Sequence, residues 1–145
     1  MKVERKAEIG APPESVYEVI MDPRRLDEWV TIHDHLVEAP EGGLRQGSEL
    51  IQCLKLAGRR FNVHWEVVEA DRPNRVVWEG KGPVHSRAQV VYELQPNGDQ
   101  GTKFSYTNEY NLPGGALGNL AGRTLSRATG KALDSSLEKL KSLFD

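Results

Sequence analysis

The sequence holds a single cysteine, Cys53, so no intrachain disulfide can brace it, and that count suits a reducing compartment. No apolar stretch is long enough to cross a bilayer. The first residues, with Glu4, Arg5, Lys6 and Glu8 among them, lack the apolar run of a secretory leader. The expectation is therefore a cytoplasmic protein without stable membrane insertion. Charge of neither sign is in excess: the net charge of −2 offers no general attraction for nucleic acid or anionic lipid, and no nucleic-acid partner is expected. Glycines come in close pairs (Gly80 and Gly82, Gly114 and Gly115, Gly118 and Gly122), but none follows a strand in a βαβ setting, which excludes a phosphate-cradling loop. Internal repeats, linkers and low-complexity tracts are absent. The 145 residues read as one domain, 1–145, able to bury about two-thirds of the unfolded surface. No feature signals an oligomeric state.

What is present is a change of hydrophobic period along the chain. Lys2 to Ile9 alternates, with Val3, Arg5, Ala7 and Ile9 on one side, and predicts a strand. Pro13 suits the first turn of a helix whose face is Val16, Tyr17, Val19 and Ile20. Asp22 as N-cap and Pro23 at the first helical position open a second short helix carrying Leu26 and Trp29. From Ile32 the period is two. Leu50, Gln52, Leu54 and Leu56 share a face against Glu49, Ile51, Cys53 and Lys55, and Phe61, Val63, Trp65 and Val67 alternate with Asn62, His64 and Glu66. Val76 and Trp78 face inward on the next strand. Val84 to Leu94 predicts another, with Ser86, Ala88, Val90 and Tyr92 inward. After the Asn97-Gly98 hairpin signal, Phe104, Tyr106, Asn108 and Tyr110 share the inner face of the last strand.

The C-terminal stretch, Leu112 to Phe144, predicts one long amphipathic helix. Gly118, Ala121, Gly122, Leu125, Ala128, Ala132, Leu133, Ser136, Leu140 and Leu143 fall on one face, opposite Arg123, Arg127, Lys131, Asp134, Glu138 and Lys141. The first half of that face is small and the second half large. Either the small half roofs a pocket, or bulky sheet residues fill the space beneath it. A sheet with one apolar face must cover it, and this helix is the only element long enough. The fold class expected is α+β: a curved antiparallel sheet around a C-terminal helix, with two short helices after the first strand.

Several local patterns carry a likeness. Ala11-Pro12-Pro13 followed by Val16-Tyr17, Leu26-Asp27-Glu28-Trp29, the run from Val63 to Ala70 into Asp71-Arg72-Pro73, and Leu112-Pro113-Gly114-Gly115 resemble the bacterial polyketide cyclase/dehydrase-like branch of the START and birch-pollen-allergen (SRPBCC) superfamily. Trp29-Val30-Thr31-Ile32-His33 is similar to the version of this loop in some actinobacterial members. The likeness spans essentially the whole chain. It implies a helix-grip fold and a cavity for a lipid, polyketide or other hydrophobic molecule. Some members of the superfamily are cyclases or hydrolases, and others are linked to toxin–antitoxin pairs.

The expected ligand-binding wall is Trp29, Gln52, Leu54, Phe61, Val63, Trp65, Val76 and Trp78, continuing through Ser86, Ala88, Val90, Tyr92, Phe104, Tyr106, Asn108 and Tyr110. Leu117, Ala121, Leu125 and Ala128 form its helical roof. Gln52, Ser86, Asn108 and the tyrosine hydroxyls are its candidate polar contacts. His33 and His35 are the candidate acid–base residues at the pocket mouth. On a regular strand both would share a face, as two metal ligands do, but His64 and His85 fall on the outer face, so neither a metal site nor a cofactor is expected. Cys53 has outward parity, and nucleophilic catalysis has no arrangement to support it. The function expected is binding of a small or medium hydrophobic ligand without turnover. The alternatives are a cyclase/dehydrase-like enzyme and a protein-interaction module with a filled core.

Overall fold

The computed structural model describes residues 1–111 and 118–145, with side chains in the last segment from residue 123 onward. Leu112, Pro113, Gly114, Gly115 and Leu117, and the side chain of Ala121, lie outside the described residues, so the helix start and that part of the roof are not described.

Strand β1 (Lys2–Ile9) ends at the Ala11-Pro12-Pro13 run. There Pro12 is the N-cap in extended conformation, and Pro13 opens α1 (Pro13–Ile20) where a missing N–H costs nothing. Val16, Tyr17, Val19 and Ile20 are buried, as their spacing requires. Asp22 accepts a hydrogen bond from the Arg24 backbone N–H at 3.0 Å and starts the single 3₁₀ turn Pro23–Arg25, which leads into α2 (Leu26–Trp29). These helices carry the chain across to the far edge of the sheet. There follow β2 (His33–Glu38), β3 (Glu49–Leu56), β4 (Arg59–Asp71), β5 (Arg75–Lys81), β6 (Arg87–Pro96), β7 (Thr102–Asn111) and α3 (Gly118–Ser142). The seven strands form one sheet in the order β1-β7-β6-β5-β4-β3-β2, every neighbour antiparallel. The chain has a helix-grip fold. The β3–β4 connection is a two-residue turn, with Ala57 at φ 51° and Gly58 at φ 79°, the pair of positive angles whose twist matches a hairpin.

α3 packs on β1 and α2 through the second half of its apolar face. Leu133, Ser136, Leu137 and Leu140 are buried there, whereas Leu125 and Ala128 are half-buried. Polar contacts fix the register. The Thr31 N–H donates to Ser136 Oγ at 3.0 Å, Thr31 Oγ1 donates to the Ala132 carbonyl at 3.2 Å, and Arg5 Nε meets Asp134 Oδ1 at 2.9 Å.

Two expectations fail. β6 begins at Arg87 rather than Val84, because Pro83 cannot continue the ladder and the chain turns through Pro83–His85, with Val84 and His85 at positive φ. Ser86 therefore sits in that turn, its Oγ against Gly82, and not on the inner wall of the sheet. Leu143, assigned to the buried face, is 37 % exposed because the helix ends at Ser142.

Candidate functional site

Register decides which inner-face side chains meet. Trp65, Gly80, Ala88 and Tyr110 lie in one cross-strand row. Val67, Trp78, Val90 and Asn108 make the next, and Ala70, Val76, Tyr92 and Tyr106 the one after. Aromatic side chains of successive rows meet diagonally and edge to face: Trp65 to Trp78 at 5.8 Å between ring centroids, and Trp78 to Tyr92 at 5.8 Å. Within the last row Tyr92 and Tyr106 lie tilted against each other at 5.3 Å. Trp65 fits because its partner across the strand is Gly80. A Cβ there would come within 2.6 Å of Trp65 Cε3.

Between these rings and α2 lies a void of about 20 Å³, room for one water molecule. Of the residues expected to line a pocket, Gln52, Leu54, Trp65, Trp78 and Val90 border it from β3 to β6, and Tyr92, Tyr106, Asn108 and Tyr110 complete it from β6 and β7. Leu26, Val30 and Ile32 border it as well. The sequence reading missed them, although the apolar run closing α2 was the signal. Trp29 lies behind the void, fully buried, with its ring 5.5 Å from Tyr106 and 5.9 Å from Tyr92. Val63, Val76 and Phe104 are buried in the core beside it, and Phe61 and Ala88 are partly buried against that core. Leu125 and Ala128 are half-buried on α3 and do not border the void.

One chain of hydrogen bonds crosses this wall. Trp65 Nε1 donates to Gln52 Oε1 at 3.0 Å, and Gln52 Nε2 lies 2.9 Å from His33 Nδ1. An indole nitrogen only donates, so the Gln52 oxygen must face Trp65 and its amide N–H must face His33. His33 Nδ1 is then the acceptor, and the neutral ring carries its proton on Nε2. Burial holds the His33 pKa below the usual imidazole value, outweighing the nearby Asp27. Gln52 is thus already satisfied. Trp78 Nε1 and Trp29 Nε1 are not: both are buried without a hydrogen-bond partner. Burial pushes the Tyr92 and Tyr106 phenols well up and Tyr110 to about 12, so all three keep their protons at neutral pH and can donate hydrogen bonds.

His35 parts company with His33. A bulge between them breaks the alternation, turning His33 toward Gln52 and leaving His35 59 % exposed with Nδ1 2.7 Å from Asp34 Oδ2. The two histidines therefore do not act together. A broad concavity of about 1140 Å³, open to solvent, involves mainly the outer surface of the sheet. Glu49, Glu66 and Glu79 sit directly opposite one another on three neighbouring strands there, beside His64, Lys81 and Arg87.

The whole chain, residues 1–145, matches the family model described as polyketide cyclase/dehydrase and lipid transport. An uncharacterized protein of Mycobacterium tuberculosis is 25% identical over 142 residues, covering 98% of this chain and 97% of that protein. Among solved structures, a protein of Thermus thermophilus superposes with a TM-score of 0.80 at 24% identity, covering 98% of this chain and 95% of its own. A START superfamily protein from Mycobacterium smegmatis does so at 0.76 and 14% identity, with 99% and 96% covered. No helix among the described residues is long and apolar enough to cross a membrane.

Proposed function

We propose that this chain, which belongs to the polyketide cyclase/dehydrase and lipid transport family, binds one small or medium hydrophobic molecule between the inner face of its sheet and α3. The molecule is of lipid, polyketide or isoprenoid character and is held without turnover, in the cytoplasm. The observation that carries the reading is the buried, unpartnered N–H of Trp78 in a largely aromatic wall. A buried donor left without an acceptor costs about 1–3 kcal/mol, which a ligand carrying a carbonyl, ether or hydroxyl oxygen would recover. Burial of ligand surface adds about 25 cal/mol per Å² before ordering costs.

A void of about 20 Å³ admits no such ligand unless a wall yields, since ligand pockets run from roughly 300 Å³ upward. α3 is anchored by Leu133, Ser136, Leu137 and Leu140 and contributes no described residue to the void, so room for the ligand is expected to open toward the less buried stretch around Leu125 and Ala128. Turnover is disfavoured because protonated tyrosines and an Nε2–H histidine are donors; none is a ready base. The nearly filled interior supports a second reading, a protein-interaction module using the outer sheet face.

All three tryptophans stand in or behind this wall, so an occupied interior must alter intrinsic fluorescence. The test is native mass spectrometry of protein purified from its own host, joined to fluorescence titration with fatty acids, prenyl alcohols and aromatic polyketides. A retained apolar adduct and one saturable titration are expected, weakened in Trp78→Phe for oxygen-bearing ligands. No adduct and no saturable change across the panel would refute binding and favour the interaction module.

A further inference from the structure

The β2 bulge that separates the two histidines also brings together a set of donors that strand parity keeps apart. His35 pairs in register with Cys53 of β3, and the imidazole, the Asp34 carboxylate and the Cys53 thiol have donor atoms all within 4.8 Å of one another. We propose that Asp34, His35 and Cys53 form a site for a borderline-soft divalent cation of the zinc class, on the outer face at the β2 edge of the sheet.

The donor set fits that chemistry. Thiolate and imidazole select zinc-like ions over magnesium or calcium, and a carboxylate completes three protein ligands, leaving a fourth position for water. Tetrahedral coordination, with metal–sulfur bonds of about 2.3 Å and metal–nitrogen or metal–oxygen bonds of about 2.0–2.1 Å, puts donors roughly 3.3–3.6 Å apart. The present spread must therefore close by little more than roughly 1 Å, a side-chain rotation within reach of the exposed His35. Cys53 is 5 % exposed and belongs to a continuous strand, so it is the fixed member, and the two β2 side chains move to it.

Arg60 already donates to Asp34 Oδ1 at 3.2 Å. That bond leaves Oδ2, now paired with His35, as the coordinating oxygen, and orients the carboxylate from outside the shell. Binding exchanges the His35–Asp34 hydrogen bond for two metal bonds. The Cys53 thiol gives its proton to solvent as its sulfur becomes the thiolate ligand, so one proton leaves per cation bound. Asn62 stands opposite Cys53 in the β3–β4 register, so the neighbouring position on β4 is polar and uncharged. The site stands on the face opposite the aromatic wall, and the proposal is independent of what that wall binds.

The probe is cobalt(II), titrated into the full chain after chelator treatment and dialysis. One equivalent should produce a thiolate-to-cobalt charge-transfer band in the near ultraviolet and tetrahedral bands in the visible, both lost on adding one equivalent of zinc. His35→Gln changes an exposed residue and will fold; it should weaken cobalt binding by roughly 100-fold or more, since even outer-shell partners are worth 10–100-fold. Cys53→Ser should erase the charge-transfer band. Should that buried change prevent folding, Asp34→Asn takes its place, with a loss like that of His35→Gln. His64→Gln, an exposed imidazole outside the cluster, should change nothing. A wild-type protein without the band overturns the proposal, as does a band of unchanged affinity in His35→Gln.

Discussion

Replacing Gly80 by alanine tests the packing that defines the inner wall. The added Cβ would stand 2.6 and 2.8 Å from Trp65 Cε3 and Cζ3, and 2.7 Å from Val63 Cγ1. Carbon atoms sit comfortably at about 3.5–4.0 Å, so the indole must retreat by roughly 1 Å. It is held on several sides. Its Nε1 is tied to Gln52 at 3.0 Å, its ring stacks edge-on to Trp78, and Val63 is pressed from the same point. Overpacking of this kind costs about 1–3 kcal/mol, and a stretched Trp65–Gln52 bond about 1 more. Alanine loses less backbone freedom than glycine in a strand, which returns about 0.5–1 kcal/mol. The net expectation is a loss of about 1–3 kcal/mol, or several degrees in Tm for a chain of this size. Urea denaturation followed by circular dichroism measures it, with tryptophan emission reporting the displaced ring. The decisive comparison is the same change in a Trp65→Leu background, where the clash with the indole is gone and only that with Val63 remains, so the penalty should fall by about 0.5 kcal/mol or more. An unchanged penalty there, or a neutral Gly80→Ala in the wild type, would show that Trp65 is not seated on Gly80.

The anchoring of α3 predicts an asymmetry: Leu137→Ala should cost about 2–4 kcal/mol, and Leu125→Ala, at a half-buried position, less than about half of that. Equal losses in chemical denaturation would contradict a helix held by its C-terminal half. Ser136→Ala removes the acceptor of the buried-side Thr31 N–H and should cost about 1–2 kcal/mol. Amide exchange at Thr31 should quicken, and an unchanged Thr31 rate would exclude that bond as the tie between α3 and the loop after α2.

Much of the wall was legible because strand alternation is local. Residues two apart share a face whatever they pair with, so Phe104, Tyr106, Asn108 and Tyr110 could be put on the inner side of β7 from spacing alone. The same holds for the buried leucines of α3, and for Asp22-Pro23 and Pro13 as helix starts. Pro83 stands just ahead of the strand expected from Val84 to Leu94, and only the structure shows the turn there that carries Ser86 off the wall.

Spacing says nothing about distance across strands, which register alone fixes. Seating Trp65 over Gly80 and stepping Trp78 and Tyr92 diagonally beyond it is what leaves only about 20 Å³ inside. Gln52, an expected ligand contact, already meets Trp65 and His33, one 13 residues along the chain and the other 19. His33 and His35 look alike in a list of alternating positions. A single bulge in β2 ties one to the aromatic wall and sets the other beside Cys53 on the opposite face. The sequence by itself determined which residues could face inward. The tertiary structure decided which of them meet, because one extra residue in a strand reverses every parity that follows it.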